Sequence, residues 1–458
     1  MTTRDRRNGN AIVIGASMAG LMAARVLSDH FEHVTIIERD LLTDDIDTRR
    51  GVPQGRHVHG LLTAGREKLE HWFPGIVAEM EHDGAVRVEV DDSWWWQAGA
   101  FAVRGGVNLN ALTASRPLFE NATRRRVGRT PGVTIRDGLK IDGLIVDSAG
   151  VHGVIARNEE LRADLVVDCS GRNSRFVVEA GKAGFPTPEM SNVDVGIVYG
   201  TVLLERRPND IDGSFAIVAA TPPAENRGAI LLPIEGERWI LTLAGMHGDA
   251  PPTDEDGFRG FAKSLPTPII ADLLEKTTIL TSVATYNLKS NQRRHFEKLR
   301  RTPPGYLALG DAICSFNPVY AQGMSSAALQ VDALDSILNK HSVASRQFAR
   351  AFYRAASKVV NNPWQIAVGS DFLHPATTGP KPAGTDLVNK YMARVLKAAH
   401  VSPVVRRQFM QVAALVDPPP SLMKPGMMLR VFRESKRSPA ADKLGSDSRV
   451  DAPTSPVA

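Results

Sequence analysis

The sequence has little cysteine and no long apolar run. Cys169 and Cys314 are the only two cysteines among 458 residues, which excludes a disulfide framework and a cysteine-rich metal site. No stretch approaches the ~18 consecutive apolar residues of a membrane-spanning helix, and the N-terminus lacks a signal-peptide core. We therefore expect a protein of the reducing cytoplasm without a transmembrane segment.

Charge of one sign is also scarce. The 55 lysines and arginines exceed the 50 aspartates and glutamates by only five. Such a modest excess, which we expect to be spread along the chain, makes no case for a nucleic-acid partner. His57 and His59 have the spacing of metal ligands on a strand, but no third ligand is apparent, so no metal is expected.

The segment from Asn10 to Asp40 has the pattern of a nucleotide-binding βαβ unit. An apolar run of strand length precedes Gly15, a helical pattern follows Gly20, and a second apolar run ends at Glu38. The start of the helix directs free N–H groups and a positive dipole end at the turn, where a pyrophosphate binds in such units. Glu38 stands where a carboxylate can accept hydrogen bonds from ribose hydroxyls.

One position departs from the Gly-x-Gly-x-x-Gly fingerprint, because its middle glycine is Ser17. Backbone contact with a pyrophosphate then requires a compatible conformation of Ser17, whose hydroxyl can itself donate to the phosphate. Glu38, rather than a basic residue, favours a free ribose, as in FAD or NAD.

The segment from Arg49 to Leu62 is rich in basic and amide side chains. We interpret it as a mobile segment that contacts the cofactor; the alternative is a solvated arginine cluster. Further on, Trp94, Trp95 and Trp96 alternate faces of a strand, which favours packing over ligand contact. Ser115 is a candidate helix N-cap, and Arg116 follows it in a position to meet an anion.

The rest of the chain alternates between two kinds of sheet. Residues 133–135, 140–147 and 151–157 read as an antiparallel meander, and 164–168 as a buried parallel strand that returns to the first sheet. Residues 193–204 and 228–244 read as long antiparallel strands with a hairpin turn at 235–237. A buried strand then ends in Gly310-Asp311, and a helix begins near Gly323.

These patterns predict an α/β fold. It has a Rossmann-like dinucleotide-binding domain with a mixed parallel sheet, an inserted antiparallel β-sheet domain and a helical C-terminal region; the resemblance described next implies an FAD-binding domain and a substrate domain. The predicted limits are 1–190 and 287–345 for the FAD-binding domain, 191–286 for the antiparallel domain, 346–436 for the helical region and 437–458 for a disordered tail.

Three motifs carry a resemblance to a known family. The chain resembles FAD-dependent monooxygenases of the para-hydroxybenzoate hydroxylase type at these motifs, which are Arg50-Gly51-Val52-Pro53-Gln54, Leu232-Pro233-Ile234-Glu235-Gly236, and Gly310-Asp311-Ala312 with Asn317-Pro318-Val319-Tyr320. In amino-acid sequence the motifs are most similar to those of the polyene epoxidases of polyether antibiotic pathways, a part of secondary metabolism. The likeness covers roughly residues 11–338.

The resemblance implies roles for individual residues. Asp311 would bind a ribityl hydroxyl, Arg116 would contact the pyrophosphate side, and Pro318 would lie beside the flavin ring. Gly323 and Met324 would present backbone N–H groups to the flavin pyrimidine edge, where negative charge develops. The expected catalytic residues are Pro318, Gly323 and Met324. The expected FAD-binding residues are Gly15, Ser17, Met18, Ala19, Gly20, Glu38, Arg39, Arg50, Gln54, Arg116, Gly310, Asp311, Gly323 and Met324.

The same resemblance implies the reaction. One oxygen atom would pass from a flavin C4a-hydroperoxide, formed with O₂, to a small apolar substrate, by epoxidation or hydroxylation. Tyr199, Leu231 and Trp239 are candidates, by strand parity alone, for a substrate floor. In the hydroxylases an Asp-Gly pair serves both FAD and NAD(P)H, and here Ser170-Gly171 replaces it. The electron donor would therefore be NAD(P)H or, in its place, a separate flavin reductase. The alternative is an FAD-dependent reductase of isoprenoid double bonds, similar to geranylgeranyl reductases; the oligomeric state stays open.

Overall fold

The computed structural model describes residues 8–44 and 48–437. Within them the α-helices are α1 (Met18–Leu27), α2 (Thr63–Trp72), α3 (Ile76–His82), α4 (Arg116–Gly128), α5 (Phe176–Lys182), α6 (Glu255–Lys263), α7 (Ile269–Lys276), α8 (Gly323–Leu338), α9 (Phe348–Asp371), α10 (Thr385–Ala399), α11 (Pro403–Ala413) and α12 (Pro425–Glu434). Short 3₁₀ turns at Pro53–Arg56, Gly310–Ala312 and Pro318–Tyr320 lie between these elements.

The strands follow in the same chain order. They are β1 (Asn8–Ile14), β2 (Phe31–Ile37), β3 (Gly60–Leu61), β4 (Val86–Glu89), β5 (Ser93–Gln97), β6 (Ala100–Phe101), β7 (Asn110–Thr113), β8 (Val133–Arg136), β9 (Ile141–Val146), β10 (Val151–Ala156), β11 (Glu159–Arg162), β12 (Leu165–Asp168), β13 (Met190–Glu205), β14 (Phe215–Val218), β15 (Gly228–Ile234), β16 (Arg238–Met246), β17 (Ala284–Arg294), β18 (Tyr306–Ala308) and β19 (Cys314–Ser315).

A five-stranded parallel sheet carries the first βαβ unit. Its order is β18-β12-β1-β2-β8, and all its pairings are parallel. The apolar runs of β1, β12 and β18 are buried, as expected for parallel strands covered on both faces. The predicted return of residues 164–168 to this sheet is confirmed. Residues 133–135 were predicted to join the meander, which is wrong: β8 extends the parallel sheet, and only β9, β10 and β11 form the antiparallel meander.

An eight-stranded sheet, ordered β19-β17-β13-β16-β15-β14-β5-β6, forms the second layer. Its long strands β13, β15, β16 and β17 pair antiparallel, with the predicted hairpin between β15 and β16. This sheet also contains β5, β6 and β19, which lie outside residues 191–286. The domain limits given by the sequence stay a prediction. The expected α/β class with an antiparallel sheet and a helical C-terminal region is confirmed.

The two faces of this sheet pack against different parts of the chain. The outer face, which includes Leu231 and Trp239, is covered by α6 and α7. The inner face, which includes Tyr199, contacts the segment after β19. The expectation that Leu231 and Trp239 contribute to a floor beside the cofactor is therefore wrong, since both side chains lie in the core on the far side. Trp94 and Trp96 pack edge-on against Phe101, so these tryptophans serve packing.

The helical region completes the molecule. Helix α8 packs against α9, α2 and α1, and α10, α11 and α12 enclose a small apolar core of their own. Among the described residues, no helix combines the length and the apolarity needed to cross a bilayer. The tail predicted from residue 437 lies, beyond Arg437, outside the described residues.

Candidate functional site

The turn after β1 can accept only glycine at two positions. Gly15 has a φ of 99°, and a β-carbon there would lie 2.9 Å from the carbonyl oxygen of Cys169. At Gly20 a β-carbon would lie 1.9 Å from the carbonyl oxygen of Gly15. Ser17, by contrast, caps α1 in an ordinary extended conformation, which explains why a serine is tolerated at the middle position. The backbone therefore makes the tight strand-to-helix turn that holds a pyrophosphate.

A charged network covers this turn. The Ser17 hydroxyl donates to Glu120 at 2.6 Å and accepts from Arg116 at 2.7 Å. Arg116 and Arg49 also pair with Glu120 at 2.8 and 3.1 Å. Burial by itself raises the pKa of Glu120, but Arg116 and Arg49 outweigh burial and the net shift of this pKa is downward. Two guanidinium groups are thus held beside the turn, an arrangement that is suited to an anion.

Glu38 ends β2 as predicted and organises the same region. Its carboxylate accepts the N–H groups of Ala16 at 2.8 Å and Asp40 at 3.0 Å, and it pairs with Arg49 at 3.0 Å. The structure places Arg49 in this network and leaves Arg50, the residue predicted to contact FAD, exposed, so the role of Arg50 stays a prediction. The adjacent arginines gave no signal to separate them, because their side chains differ only in direction.

Other predicted positions contribute differently. Met18 is buried in the core, so only its backbone can face a ligand, and Ala19 lies beside Gly310. Arg39 is largely exposed, and Gln54 lies half-buried in the turn after Val52. The role of each of these residues in binding stays a prediction.

Asp311 follows Gly310, which lies beside Ala19 in the first turn of α1. It follows β18 on the turn whose Gly310 N–H donates to Gln330 at 2.9 Å. Its carboxylate has no hydrogen-bond partner among the described residues, and the residue is exposed. The surrounding protein nevertheless raises its pKa through desolvation, against the opposing charges of Arg116 and Arg172. An unpartnered carboxylate is suited to accept hydrogen bonds from a ligand hydroxyl.

The start of α8 is open. The helix begins at Gly323, as predicted, with Gln322 as its N-cap and no side-chain cap. A β-carbon built on Gly323 meets nothing within 4 Å, so the first residue of the helix borders open space. Met324 is buried and can offer only its backbone. Pro318 is exposed on the preceding 3₁₀ turn.

A buried polar bridge holds the segment before Pro318. Asn317 accepts from the Tyr199 hydroxyl at 2.7 Å and donates to Asp371 at 3.0 Å. Asp371 also accepts from Asn291 at 2.7 Å. Burial raises the pKa of Asp371 to about 6, although both amides oppose the shift. Sequence analysis missed this bridge, because its members come from β13, β17, the 3₁₀ turn and α9.

His57 lies against the inner sheet face. Its ring packs near those of Tyr199 and Tyr286, and its Nδ1 atom is 2.7 Å from the Thr201 hydroxyl. Burial, aided by Arg56, lowers the pKa of His57 to about 4, so the imidazole is neutral at pH 7. The segment containing His57 therefore joins the cofactor turn to the sheet.

Asp168 is a structural residue. Its buried carboxylate accepts from the Ser170 N–H and hydroxyl, from Ser174, and from the Tyr306 hydroxyl. Residues Ser170 and Gly171, which depart from the hydroxylase pattern, therefore form a turn that is fixed to Asp168.

The three features suit the parts of a dinucleotide. They are a glycine turn with two guanidinium groups, an unpartnered carboxylate after β18 and the uncapped N-terminus of α8. They match, respectively, an anionic pyrophosphate, a polyol and an electron-rich ring. The class defined by this fold and site is that of FAD-dependent oxidoreductases.

Comparison with known proteins agrees with the assignment to FAD-dependent oxidoreductases. The model of the FAD-binding domain family matches residues 9–348, and the chain belongs to this family. Protein Rv3254 of Mycobacterium tuberculosis (strain ATCC 25618 / H37Rv) is 33% identical over 427 residues, which is 89% of this chain and 90% of that protein. The expected cofactor, FAD, is thereby confirmed.

Solved structures share the fold at low identity. The flavin-dependent brominase Bmp2 matches with a TM-score of 0.66 and 13% identity, over 93% of this chain and 98% of that one. PqsL, a probable FAD-dependent monooxygenase from Pseudomonas aeruginosa, matches with a TM-score of 0.61 and 16% identity, over 80% of this chain and 98% of that one. The tetrameric form of 2-methyl-3-hydroxypyridine-5-carboxylic acid oxygenase matches with a TM-score of 0.59 and 16% identity, over 87% of this chain and 97% of that one. These likenesses concern the fold and leave the substrate open.

Proposed function

We propose that the protein is an FAD-dependent monooxygenase that transfers one oxygen atom from O₂ to a small apolar substrate. The observation that carries this proposal is the meeting of the cofactor segments with an apolar sheet face. Tyr199 on β13 is hydrogen-bonded to Asn317, directly before Pro318. When bound, FAD supplies the redox chemistry and the activation of O₂, and the chain supplies position and exclusion of water.

The sheet face next to Pro318 is poor in charge. Its buried side chains near Tyr199 are aliphatic or sulfur-containing, and a second apolar group, which includes one phenylalanine, continues toward β14 and β15. The members of the two groups are Val195, Ile197, Tyr199, Ala244, Met246 and Leu288, and Val88, Phe215, Leu232, Ile234 and Ile240. Such a surface favours an apolar ligand and keeps water from the reacting atoms.

The chain's own residues have distinct proposed tasks. Arg116 and Arg49 would contact the pyrophosphate, Asp311 would accept a hydrogen bond from the ribityl chain, and the backbone N–H groups of Gly323 and Met324 would serve the flavin pyrimidine edge. Electrostatic stabilisation at that edge would need no charged side chain, because free N–H groups and the helix dipole can provide it. Pro318 would lie beside the flavin ring.

The finer expectation is epoxidation of a polyene, as in the polyether pathways, with hydroxylation as the other outcome. This part rests on the amino-acid sequences of the three motifs that resemble those of the epoxidases. NAD(P)H is the proposed electron donor, with a separate flavin reductase as the alternative.

The test uses FAD-loaded protein that is reduced photochemically without air, so that the natural donor is not needed. The protein is then mixed with ¹⁸O₂ and an apolar polyene or an aromatic compound, and products are read by mass spectrometry. We expect one ¹⁸O atom in the product. Saturation of a double bond in the absence of O₂ would instead identify the isoprenoid reductase, and ¹⁸O label only in H₂O₂ with every substrate would contradict oxygen transfer. Apoprotein without FAD is the control.

A further inference from the structure

The basic residues are concentrated in the last helices. Residues 381–437 contain 11 lysines and arginines against three carboxylates, an excess of eight, whereas the whole chain has an excess of five. The remainder of the chain therefore has a net charge of −3. The net positive charge of the chain therefore lies in residues 381–437 and is not spread along the chain, contrary to the expectation from the sequence.

Exposed apolar side chains are concentrated in the same region. Eight of the twelve large exposed hydrophobic residues found in the described part of the chain lie between Leu373 and Phe432. Leu387 on α10 and Leu429 on α12 are 74% and 73% exposed. Single exposed leucines are ordinary, but a concentration of them in one region marks an interaction surface.

The charged and apolar residues share one face. On α10, Leu387, Lys390 and Arg394 follow at spacings of three and four, which places them on one side of a helix. On α12, Leu429 and Phe432 are likewise three residues apart, and Lys436 follows in the turn after the helix. We call these six residues the basic apolar face.

The two helices are joined within this face. The Phe432 ring lies 6.2 Å from that of Tyr391, and the Arg394 guanidinium carbon lies 5.2 Å from the Phe432 ring centroid. Of the three carboxylates in residues 381–437, Asp386 pairs with Lys381, and Glu434 pairs with Arg433 and Arg437. The third, Asp417, accepts from Gln408. The positive charges of the basic apolar face are thus not neutralised by these carboxylates.

We propose that the basic apolar face docks onto the surface of a bilayer that contains anionic lipids. Protruding leucine and phenylalanine side chains can enter the boundary of the acyl region, while neighbouring lysine and arginine groups reach the phosphates. A second copy of the chain is a poor partner, because a symmetric contact would oppose like charges. An acidic protein would satisfy the charges, but the most exposed leucines stand out from the helices and need an apolar phase.

This inference goes beyond the proposed function and can fail independently of it, because attachment requires neither flavin turnover nor substrate. If both hold, the enzyme meets its apolar substrate where such molecules concentrate.

The test is sedimentation of the FAD-loaded full chain with vesicles. Vesicles of phosphatidylcholine alone are compared with vesicles that contain a third of phosphatidylglycerol, at low and high salt. We expect binding to the anionic vesicles and its loss at high salt. Each surface lysine or arginine strengthens such binding about fivefold. The triple variant Lys390→Glu, Arg394→Glu and Lys436→Glu should therefore bind on the order of 100-fold more weakly.

The matched control is Lys140→Glu, Lys182→Glu and Lys340→Glu, which makes the same change of charge at exposed sites outside the region. It should bind far better than the first triple variant. The pair Leu429→Ser and Phe432→Ser should weaken binding roughly tenfold while leaving its salt dependence.

Three outcomes would overturn the proposal. They are no sedimentation with anionic vesicles at low salt, equal losses in the two triple variants, and light scattering that shows a dimer dissociated by the Leu429 and Phe432 changes. Circular dichroism of each variant shows whether it is folded, and a misfolded triple variant is replaced by the single change Lys390→Glu, for which about fivefold or more is expected.

Discussion

The side-chain amide of Asn317 donates a 3.0 Å hydrogen bond to the carboxylate of Asp371. This bond ties the segment before Pro318 to the last residue of α9. Since Asp371 also accepts from Asn291, one buried carboxylate joins the proposed flavin segment, the large sheet and the helical C-terminal region. The helical region therefore supports the cofactor segment, although it carries no motif of its own.

We expect Asp371→Asn to destabilise the protein, because an amide in place of the carboxylate turns an NH₂ group toward the amide donors of Asn291 or Asn317. An unsatisfied buried donor costs about 1–3 kcal/mol. The free energy of unfolding, measured by urea denaturation at about pH 4.5, tests this, because Asp371 is then protonated and neither protein carries a buried charge at this position. An unchanged value would show that the bridge contributes little.

The same variant should alter the pH dependence of stability. Because the pKa of Asp371 is raised to about 6, the folded protein keeps this proton at a pH where the unfolded chain has lost it. Stability of the wild type should thus fall as the pH rises from about 4 to about 6, by roughly 3 kcal/mol at most. The difference between wild type and Asp371→Asn isolates this component, since the histidines are common to both. A difference that does not vary with pH would contradict the raised pKa.

We expect Gly323→Ala to weaken FAD binding without harming the fold. A β-carbon at Gly323 meets no protein atom within 4 Å, so only a bound ligand can oppose it. A loss of about tenfold in affinity corresponds to 1.4 kcal/mol. Titration of apoprotein with FAD, followed by flavin fluorescence, measures it.

Gly426→Ala is the matched control for that change. Gly426 also lies in the first turn of a helix, α12, and its β-carbon would likewise meet nothing within 4 Å. Equal FAD affinities of the two variants would remove the α8 N-terminus from the proposed site.

Asp311→Ala and Asp168→Ala should fail in different ways. The Asp311 carboxylate has no partner among the described residues, so its loss should leave the apoprotein stable and weaken FAD retention roughly 10- to 100-fold, the value of a hydrogen bond to a charged group. Loss of Asp168 leaves the Tyr306 and Ser174 hydroxyls without their acceptor and should lower the melting temperature of the apoprotein. Thermal unfolding with and without FAD separates the effects, and identical behaviour of the variants would refute this assignment.

Gly20→Ala should prevent the formation of the cofactor turn, because its β-carbon would lie 1.9 Å from a backbone oxygen that cannot move away cheaply. We expect a loss of several kcal/mol in stability, in the upper range of point substitutions. Gly128→Ala at the end of α4 is the control, since nothing lies within 4 Å of its β-carbon. Retention of FAD and of stability by Gly20→Ala would contradict the geometry of the turn.

Local patterns in the sequence determined the first βαβ unit, its binding of a dinucleotide, the parallel return at 164–168 and the start of α8 at Gly323. Each of these depends on neighbours along the chain, namely apolar periodicity, glycines at turns and an acidic residue at a strand end. The spacing between Gly15, Gly20 and Glu38 carries that information by itself.

Only the tertiary structure decided which face of the large sheet meets the cofactor segments. Strand parity places Tyr199 on one face and its neighbours on the other, but it cannot say that α6 and α7 cover Leu231 and Trp239. For the same reason, the sequence could not predict the pairing of β8 with β2 or the hydrogen bond between Asn317 and Asp371. These contacts join residues far apart in sequence, and packing of whole elements, rather than local propensity, selects them.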